Sequence, residues 1–321
     1  MQTQDQFVAA RRKDWDELDV LLATDRPLHK LPALQISRAA ALYRSLCSDL
    51  MRARAAGYGP DLIGFLDGLA ARAHNALYAA PPYRLGAVWD LMVRDFPRTL
   101  RKRVRFFAFS AALFLLPGTV GFLGAMGSRA FAAQVLPESV LSEMEHSYSK
   151  DLGRSGGENA LMAGFYVYNN VGIAFRCFAT GILFGLGSVF FLIYNGLVIG
   201  TVLGAVVRAG HGGNILTFVC GHSPFELTAI VIAGAAGLQM GYALVSTGGR
   251  TRWGSLREQA REIAYLVLGA AVMLGIAATI EGFWSPSAAP APVKWVVAAV
   301  LSTLVTLYFV LAGRGRGAQR P

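Results

Sequence analysis

Residues 171–207 read VGIAFRCFATGILFGLGSVFFLIYNGLVIGTVLGAVV and contain one charged side chain, that of Arg176. A helix needs about 20 residues to cross roughly 30 Å of hydrocarbon, so this apolar run is too long for one crossing. Near its middle, Asn195-Gly196 is a pair typical of tight turns. The run therefore predicts two transmembrane helices joined by a turn at Asn195.

The composition of the chain fits a membrane protein. Of its 321 residues 54% are hydrophobic and 16% are charged, which is less charge than a soluble protein of this length carries. The net charge is +10, and the basic residues flank apolar segments. Membrane topology and anionic lipid head groups explain that charge more simply than nucleic acid does. We expect membrane lipids as partners and no nucleic acid.

Apolar segments recur through the second two-thirds of the chain. They predict an all-α, polytopic membrane protein with about six transmembrane helices, at residues 106–126, 177–194, 196–209, 225–245, 263–283 and 295–312. The apolar stretch 215–220 is too short to cross a bilayer. It predicts a re-entrant or interfacial segment, buried in protein or lining a wet cavity.

Basic residues alternate from one loop to the next. Arg and Lys cluster at 98–105, 250–261 and 314–320, whereas the long loop 127–175 is net acidic. The positive-inside rule then predicts a multi-pass protein of the cytoplasmic (inner) membrane with both termini in the cytoplasm. The polar start of the chain has no apolar h-region, so we expect the first span, and no cleavable signal peptide, to direct insertion.

The same patterns divide the chain into regions. We expect a cytoplasmic helical domain, then a basic amphipathic juxtamembrane helix, a transmembrane domain with an outer loop, and a cytoplasmic basic tail. Their boundaries are 1–82, 83–105, 106–312 (outer loop 127–175) and 313–321, respectively.

Polar residues between the third and fourth spans are candidates for function, because polar groups at membrane depth are costly. Ser223 and Glu226 have the spacing of a capping box, with Ser223 as the N-cap. Alternatively, His222 and Glu226 line a polar cavity. A weaker alternative adds His211 to them around the metal ion of an intramembrane hydrolase. Catalytic zinc usually takes three protein ligands and the pair supplies two, so we predict no metal, cofactor or catalytic residue.

Further candidates flank the other outer loops. Glu281 ends the fifth span, where it either reaches the head groups beside Trp284 or points inward toward His222 and Glu226. Asn170 and Arg176 lie at the outer entrance of the second span, and Asn195 at the predicted turn is a further candidate for a ligand or cavity residue. Arg176 either snorkels to phosphate level or pairs with one of the two glutamates.

Glycines recur at four-residue spacing in three of the spans. The sets are Gly181 and Gly185; Gly196, Gly200 and Gly204; and Gly237 and Gly241. This spacing places each set on one helix face, where the missing side chains allow another backbone to approach closely. The partner is either another helix of the same chain or, as the alternative, a second copy in a homodimer.

Residues 221–238, GHSPFELTAIVIAGAAGL, resemble the signature of the stage II sporulation protein M family of bacterial and archaeal membrane proteins. The Gly181/Gly185 pair, Asn195-Gly196 followed by Gly200, and the sequence IEGF at 280–283 resemble features of that family in the same order. The resemblance covers roughly residues 85–285. Ser223 stands where the family usually has glycine.

The resemblance implies a cytoplasmic-membrane protein with five or six spans. The founding member acts with peptidoglycan-degrading partners, whereas most relatives, of unassigned activity, are encoded beside a MoxR-type ATPase and an RDD-type membrane protein. We therefore expect a non-enzymatic scaffold or regulator of an envelope-associated complex, with an outer polar cluster that binds a small or lipidic ligand. The alternative is a transporter or channel whose cavity is lined by the third to fifth spans.

Overall fold

The computed structural model describes residues 3–23, 31–78, 85–149 and 156–314 of the chain. The structure is 88% helical, and the described residues include no strand, which confirms the predicted all-α class. Two compact units divide at Tyr83, one comprising Met1–Tyr83 and the other Arg84–Pro321.

Three helices form the first unit: α1 (Gln4–Leu22), α2 (Ala33–Ala55) and α3 (Pro60–Tyr78). Their apolar faces enclose a core that includes Trp15, Leu46 and Leu66. One charged side chain, Asp49, is buried with this core and accepts a hydrogen bond from the indole of Trp15.

The second unit contains the remaining helices. They are α4 (Leu85–Asp90), α5 (Phe96–Lys102), α6 (Val104–Gly127), α7 (Arg129–Val135), α8 (Glu138–Tyr148), α9 (Gly156–Ala179), α10 (Leu186–Val206), α11 (Gly212–Val219), α12 (Ser223–Val245), α13 (Arg252–Thr279) and α14 (Ala291–Leu311). Single π-helical turns occur at Leu91–Asp95 and Ile280–Trp284, and a 3₁₀ turn occurs at Thr180–Ile182. Between α10 and α11 the chain kinks at Gly210, which has positive φ.

Five helical segments of the described chain are long and apolar enough to cross a membrane. They are Val104–Gly127, Leu186–Val219, Ser223–Val245, Arg252–Trp284 and Ala291–Leu311. Together with the helical fold they confirm the predicted polytopic membrane protein, but they number five where the sequence predicted about six. Four of them match the predicted spans at 106–126, 225–245, 263–283 and 295–312.

The predicted turn at Asn195 is wrong. Asn195 lies inside α10, where its buried amide donates a 2.7 Å hydrogen bond to the Phe191 carbonyl of the same helix. The chain reverses ten residues earlier, at Phe184 and Gly185, which both have positive φ. The second and third predicted spans, 177–194 and 196–209, therefore have the wrong boundaries, because the Asn-Gly pair serves helix packing and Gly185 makes the turn.

Helix directions alternate through the second unit. Gly181 and Gly185 approach Gly237 and Gly241, respectively, so the chain from α9 to the turn runs parallel to α12. Ser188 on α10 also contacts this part of α12, and Leu192 contacts Gly234, so α10 runs antiparallel to α12. Helix α9 thus lies at the position of the second predicted span, although it is not one of the five segments above, and α10 lies at that of the third.

Helices α6 and α10 run parallel and share a seam of glycines. A Cβ at Gly196, Gly200 or Gly204 would come closer than 3.0 Å to the carbonyl oxygen of Phe114, Gly118 or Phe122, respectively. The four-residue steps match on both helices, so their backbones lie in direct contact. At each of these positions the partner backbone belongs to the same chain.

The two ends of the second unit lie together. Arg101 of α5 donates hydrogen bonds to the Phe309 and Ala312 carbonyls at the end of α14, at 2.6 and 2.7 Å. Arg103 forms a 2.6 Å ion pair with Glu262 of α13. Arginines of the basic segment 98–105 thus donate hydrogen bonds to carbonyls at a helix end and pair with a carboxylate within the protein.

Helix α12 lies at the centre of this unit and packs on α6, α9, α13 and α14. Every residue from 229 to 241 is buried. Because α12 and α13 are antiparallel, the start of α12 lies beside the π-helical turn that ends α13. This arrangement positions the polar residues described next.

Candidate functional site

The start of α12 departs from the predicted capping box. Helix α12 begins at Ser223, and its N-cap residue is His222, which makes no side-chain cap. The Ser223 hydroxyl instead donates a 2.7 Å hydrogen bond back to the Val219 carbonyl of α11. Only three residues separate α11 from α12, so Ser223 lies four residues beyond a helical carbonyl and bonds to it. The prediction of Ser223 as N-cap is therefore wrong.

His222 and two glutamates form a compact buried cluster. His222 Nε2 lies 3.6 Å from Glu226 Oε2 and 4.0 Å from Glu281 Oε1. One nitrogen or oxygen atom of each of the three side chains lies within 4.8 Å of the others. His222 is 3% exposed and Glu281 7%, whereas the side chain of Glu226 is 13% exposed and forms the open side of the cluster.

Glu281 points inward from the π-helical turn Ile280–Trp284. Such a turn inserts one residue into the helix, and it often occurs at functional sites because it redirects a side chain. Asn170 of α9, also buried, donates its Nδ2 to Glu281 Oε2 at 3.4 Å. Three helical elements, α9, α12 and the end of α13, thus contribute to one group of polar side chains.

Two polar residues that the sequence interpretation missed extend this group. His222 Nδ1 lies 3.0 Å from the Ser285 hydroxyl, and the Ser285 carbonyl accepts a 2.7 Å hydrogen bond from Lys294 Nζ. Ser285 and Lys294 are both buried. A lysine just before the apolar segment 295–312 was the available signal, because a charge there is costly unless it has a partner.

A cavity of about 590 Å³ lies near the cluster and is lined in part by Lys294 and by Phe218, whose ring contacts the ring of His222. Its lining includes the polar side chains of Asn214, Thr217 and Ser287 as well as several alanines. Within the described chain, the buried Ser287 hydroxyl has no hydrogen-bond partner. A buried polar atom of this kind commonly marks the place of a water or ligand atom.

A second cavity, of about 610 Å³, forms a groove between α12 and α14. Its lining includes Cys220, Leu227, Trp295, Ala298 and Val305. The Cys220 thiol contacts the Lys294 carbonyl at 3.8 Å, so the groove and the first cavity meet at this pair. The groove is mainly apolar, whereas the lining of the first cavity includes a lysine, Lys294.

Three other predicted candidates lie apart from the cluster. His211 precedes α11, whose eight residues extend about 12 Å, and it is not one of the three residues that could share a metal ion. The weaker alternative, a hydrolase site made of His211, His222 and Glu226, is therefore not supported, because His211 does not lie with the other two residues. Asn195 is internal to α10.

Arg176 lies on the exposed surface of α9, where its Nε donates to the Gly172 carbonyl of the same helix. The ion pairs of the described residues do not join it to Glu281 or Glu226. Pairing of Arg176 with the cluster is thus not found.

Comparisons with known proteins found a family match in each of the two units. The family described as Stage II sporulation protein M matches residues 110–286, and a domain of unknown function (DUF8413) matches residues 5–79. An uncharacterized protein of Methanocaldococcus jannaschii is 28% identical over 123 residues, which are 38% of this chain and 69% of the relative. No solved structure matches the chain.

Proposed function

Because the chain belongs to the stage II sporulation protein M family, we propose that this integral membrane protein is a scaffold or regulator of an envelope-associated complex. Its helical domain at residues 1–82 would contact partners in the cytoplasm. From the family, the expected partner is a MoxR-type ATPase or an RDD-type membrane protein. The polar cluster would bind a lipidic ligand on the outer side. A regulator that responds to its membrane needs such a binding site.

One observation carries this proposal: polar side chains from α9, α12, the end of α13 and the start of α14 converge on one buried cluster. Buried polar groups in a membrane domain are costly, and they are usually found where a ligand or ion binds. Near the cluster, a cavity lined in part by Lys294 lies next to an apolar groove lined in part by Cys220, and the two residues are in contact. An anionic head group beside Lys294 and an acyl chain along the groove match that chemistry.

The orientation of the protein in the membrane is part of the proposal. The basic segments at residues 98–105 and 250–261 lie at the end of the second unit that holds Glu262, and the cluster lies at the opposite end of α13. The positive-inside rule puts the basic end in the cytoplasm, together with both termini.

Labelling with a membrane-impermeant maleimide in intact cells tests this orientation, in a background without Cys47, Cys177 and Cys220. We expect Ser147→Cys, on exposed α8, to be labelled directly and Arg250→Cys to be labelled only after permeabilisation. The reverse pattern would place the cluster in the cytoplasmic half and remove the outer site.

The ligand proposal is tested by filling the cavity. A Cβ at Gly213, which lines the cavity, would meet no atom within 4 Å, so Gly213→Trp should enter the space without displacing the backbone. In protein extracted in native nanodiscs, we expect this variant to bind the lipid found in wild type with at least about tenfold lower affinity, equivalent to about 1.4 kcal/mol, and therefore to retain less of it. Native mass spectrometry measures the occupancy.

Gly275→Trp is the matched control, because a Cβ at Gly275 on α13 also meets no atom within 4 Å and the residue does not line the cavity. It should keep the wild-type lipid occupancy. Equal occupancy in wild type and both variants would contradict ligand binding in the cavity.

Transport is the second candidate function, favoured by the position of His222, Glu226 and Glu281 between helices of a membrane domain. The two functions differ in solute movement. Solute flux through liposomes that depends on Glu226 would favour transport, whereas lipid retention without flux would favour the scaffold.

A further inference from the structure

We infer that His222, Glu226 and Glu281 form a binding site for one divalent transition-metal ion, with Zn²⁺ as the best-matched ion. The inference deepens the proposed function, because it assigns a ligand class to the same outer cluster. It rests on the donor atoms, their spacing, their supporting residues and their charge.

The donor set is that of a transition-metal site. An imidazole nitrogen and two carboxylate oxygens are ligands that Zn²⁺ takes in proteins, at about 2.0–2.2 Å from each atom. Three protein ligands leave a fourth position for water or an anionic group, which is the pattern of an open zinc site. Calcium and magnesium prefer oxygen ligands alone, so the histidine favours a transition metal.

The spacing of the donors fits a shared ion better than direct hydrogen bonds. The distances of 3.6 and 4.0 Å from His222 Nε2 to the two carboxylates exceed a normal N–H···O distance of about 2.9 Å. Ligands about 2.1 Å from one tetrahedral ion lie about 3.4 Å apart. Side-chain rotations that move the donor atoms by a few tenths of an ångström to about one ångström would bring the three ligands to that spacing.

Neighbouring residues orient two of the three ligands. The hydrogen bond between His222 Nδ1 and the Ser285 hydroxyl allows Nδ1 to carry the proton, so Nε2 presents its lone pair to the carboxylates. Asn170 holds Glu281 Oε2, while Oε1 of the same carboxylate faces His222. These contacts resemble the outer-shell hydrogen bonds that fix metal ligands in known sites.

The charge of the cluster also favours a cation. Two carboxylates lie close together in a membrane domain, where an uncompensated charge costs several kcal/mol. The nearby ammonium of Lys294 is bound to the Ser285 carbonyl, so it lies behind the histidine. A divalent ion between the glutamates would neutralise both, and the partial exposure of Glu226 provides its route of access.

Metal titration of the full-length protein tests the inference. Protein with a tag free of histidine is stripped with a chelator in nanodiscs, then titrated with Zn²⁺ and, separately, with Co²⁺. We expect wild type to bind about one ion per chain, to show the visible absorption of tetrahedral Co²⁺, and to unfold at a higher temperature with Zn²⁺. Glu281→Gln and Glu226→Gln should each weaken Zn²⁺ binding by about 100-fold or more.

Glu258→Gln is the matched control, because Glu258 is an exposed glutamate of the same helix α13 and should leave Zn²⁺ affinity unchanged. Glu226→Gln keeps shape and polarity at a partly exposed site, so it remains informative if Glu281→Gln fails to fold. Wild type without Zn²⁺ or Co²⁺ binding, or variants that bind as wild type does, would overturn the inference. Lipid retention without metal binding would overturn the metal site and leave the proposed function intact. Metal binding without lipid retention would support the metal site and contradict only the proposed lipid binding.

Discussion

Gly200→Leu is expected to prevent the second unit from folding stably. Gly200 faces the backbone of α6, where even a Cβ would come closer than 3.0 Å to the Gly118 carbonyl oxygen. A leucine side chain must force the two helices apart, which also separates the neighbouring contacts at Gly196 and Gly204. Overpacking a close-packed interior costs about 1–3 kcal/mol, and more where backbone opposes backbone, so we expect a loss of about 3 kcal/mol or more.

The measurement is the thermal midpoint and the monodisperse fraction of the protein by size-exclusion chromatography after heating. Gly275→Leu is the control, because it places the same side chain on a transmembrane helix where a Cβ meets no atom within 4 Å. It should shift the midpoint little. If both variants unfold together with wild type, the α6–α10 seam does not limit the stability of the unit.

The outcome for α10 explains which part of the fold could be predicted. Apolar length predicted four of the spans correctly, because a bilayer imposes the same length requirement on every span. The position of the turn between α9 and α10 could not be predicted from the Asn-Gly pair, because the turn preference of that pair is known from hairpins in water. Inside α10, Asn195 satisfies its amide on Phe191, and Gly196 fits against Phe114. In the sequence Gly185 is one of several glycines, and only the structure distinguishes it, by its positive φ and its packing against Gly241.

The candidate site was likewise only partly predictable from the sequence. His222, Glu226 and Glu281 could be selected from the sequence because ionisable groups are rare in apolar segments. The convergence of these three residues could not be predicted, because it depends on the antiparallel pairing of α12 with α13 and on the π-helical turn at Ile280–Trp284. The capping-box prediction failed for a local reason. Ser223 bonds backward to α11, so Glu226 is not held at a helix cap.

In the first unit, Asp49→Ala is expected to open the contact between α1 and α2. Asp49 is 2% exposed and accepts hydrogen bonds from Arg11 Nε at 2.8 Å and from Trp15 Nε1 at 3.0 Å. Removing the carboxylate leaves the buried indole N–H without its acceptor and Arg11 without its buried partner. Breaking a buried charged pair on one side costs about 3–5 kcal/mol, and the partial exposure of Arg11 puts the expected loss near the lower value, about 3 kcal/mol.

Asp67→Ala is the matched control for this buried aspartate. Asp67 forms a 2.6 Å ion pair with Arg54, but both side chains are about half exposed, so its loss should cost less than about 1 kcal/mol. Hydrogen–deuterium exchange of the full chain, followed on peptides from α1 and α2, reports the local free energy of opening. Asp49→Ala should accelerate exchange of these peptides about 100-fold, as about 3 kcal/mol implies, and Asp67→Ala by less than about sixfold. Equal exchange in the two variants would mean that the Asp49 network contributes no more than a surface ion pair, and the first unit would then owe its stability to apolar packing around Trp15 alone.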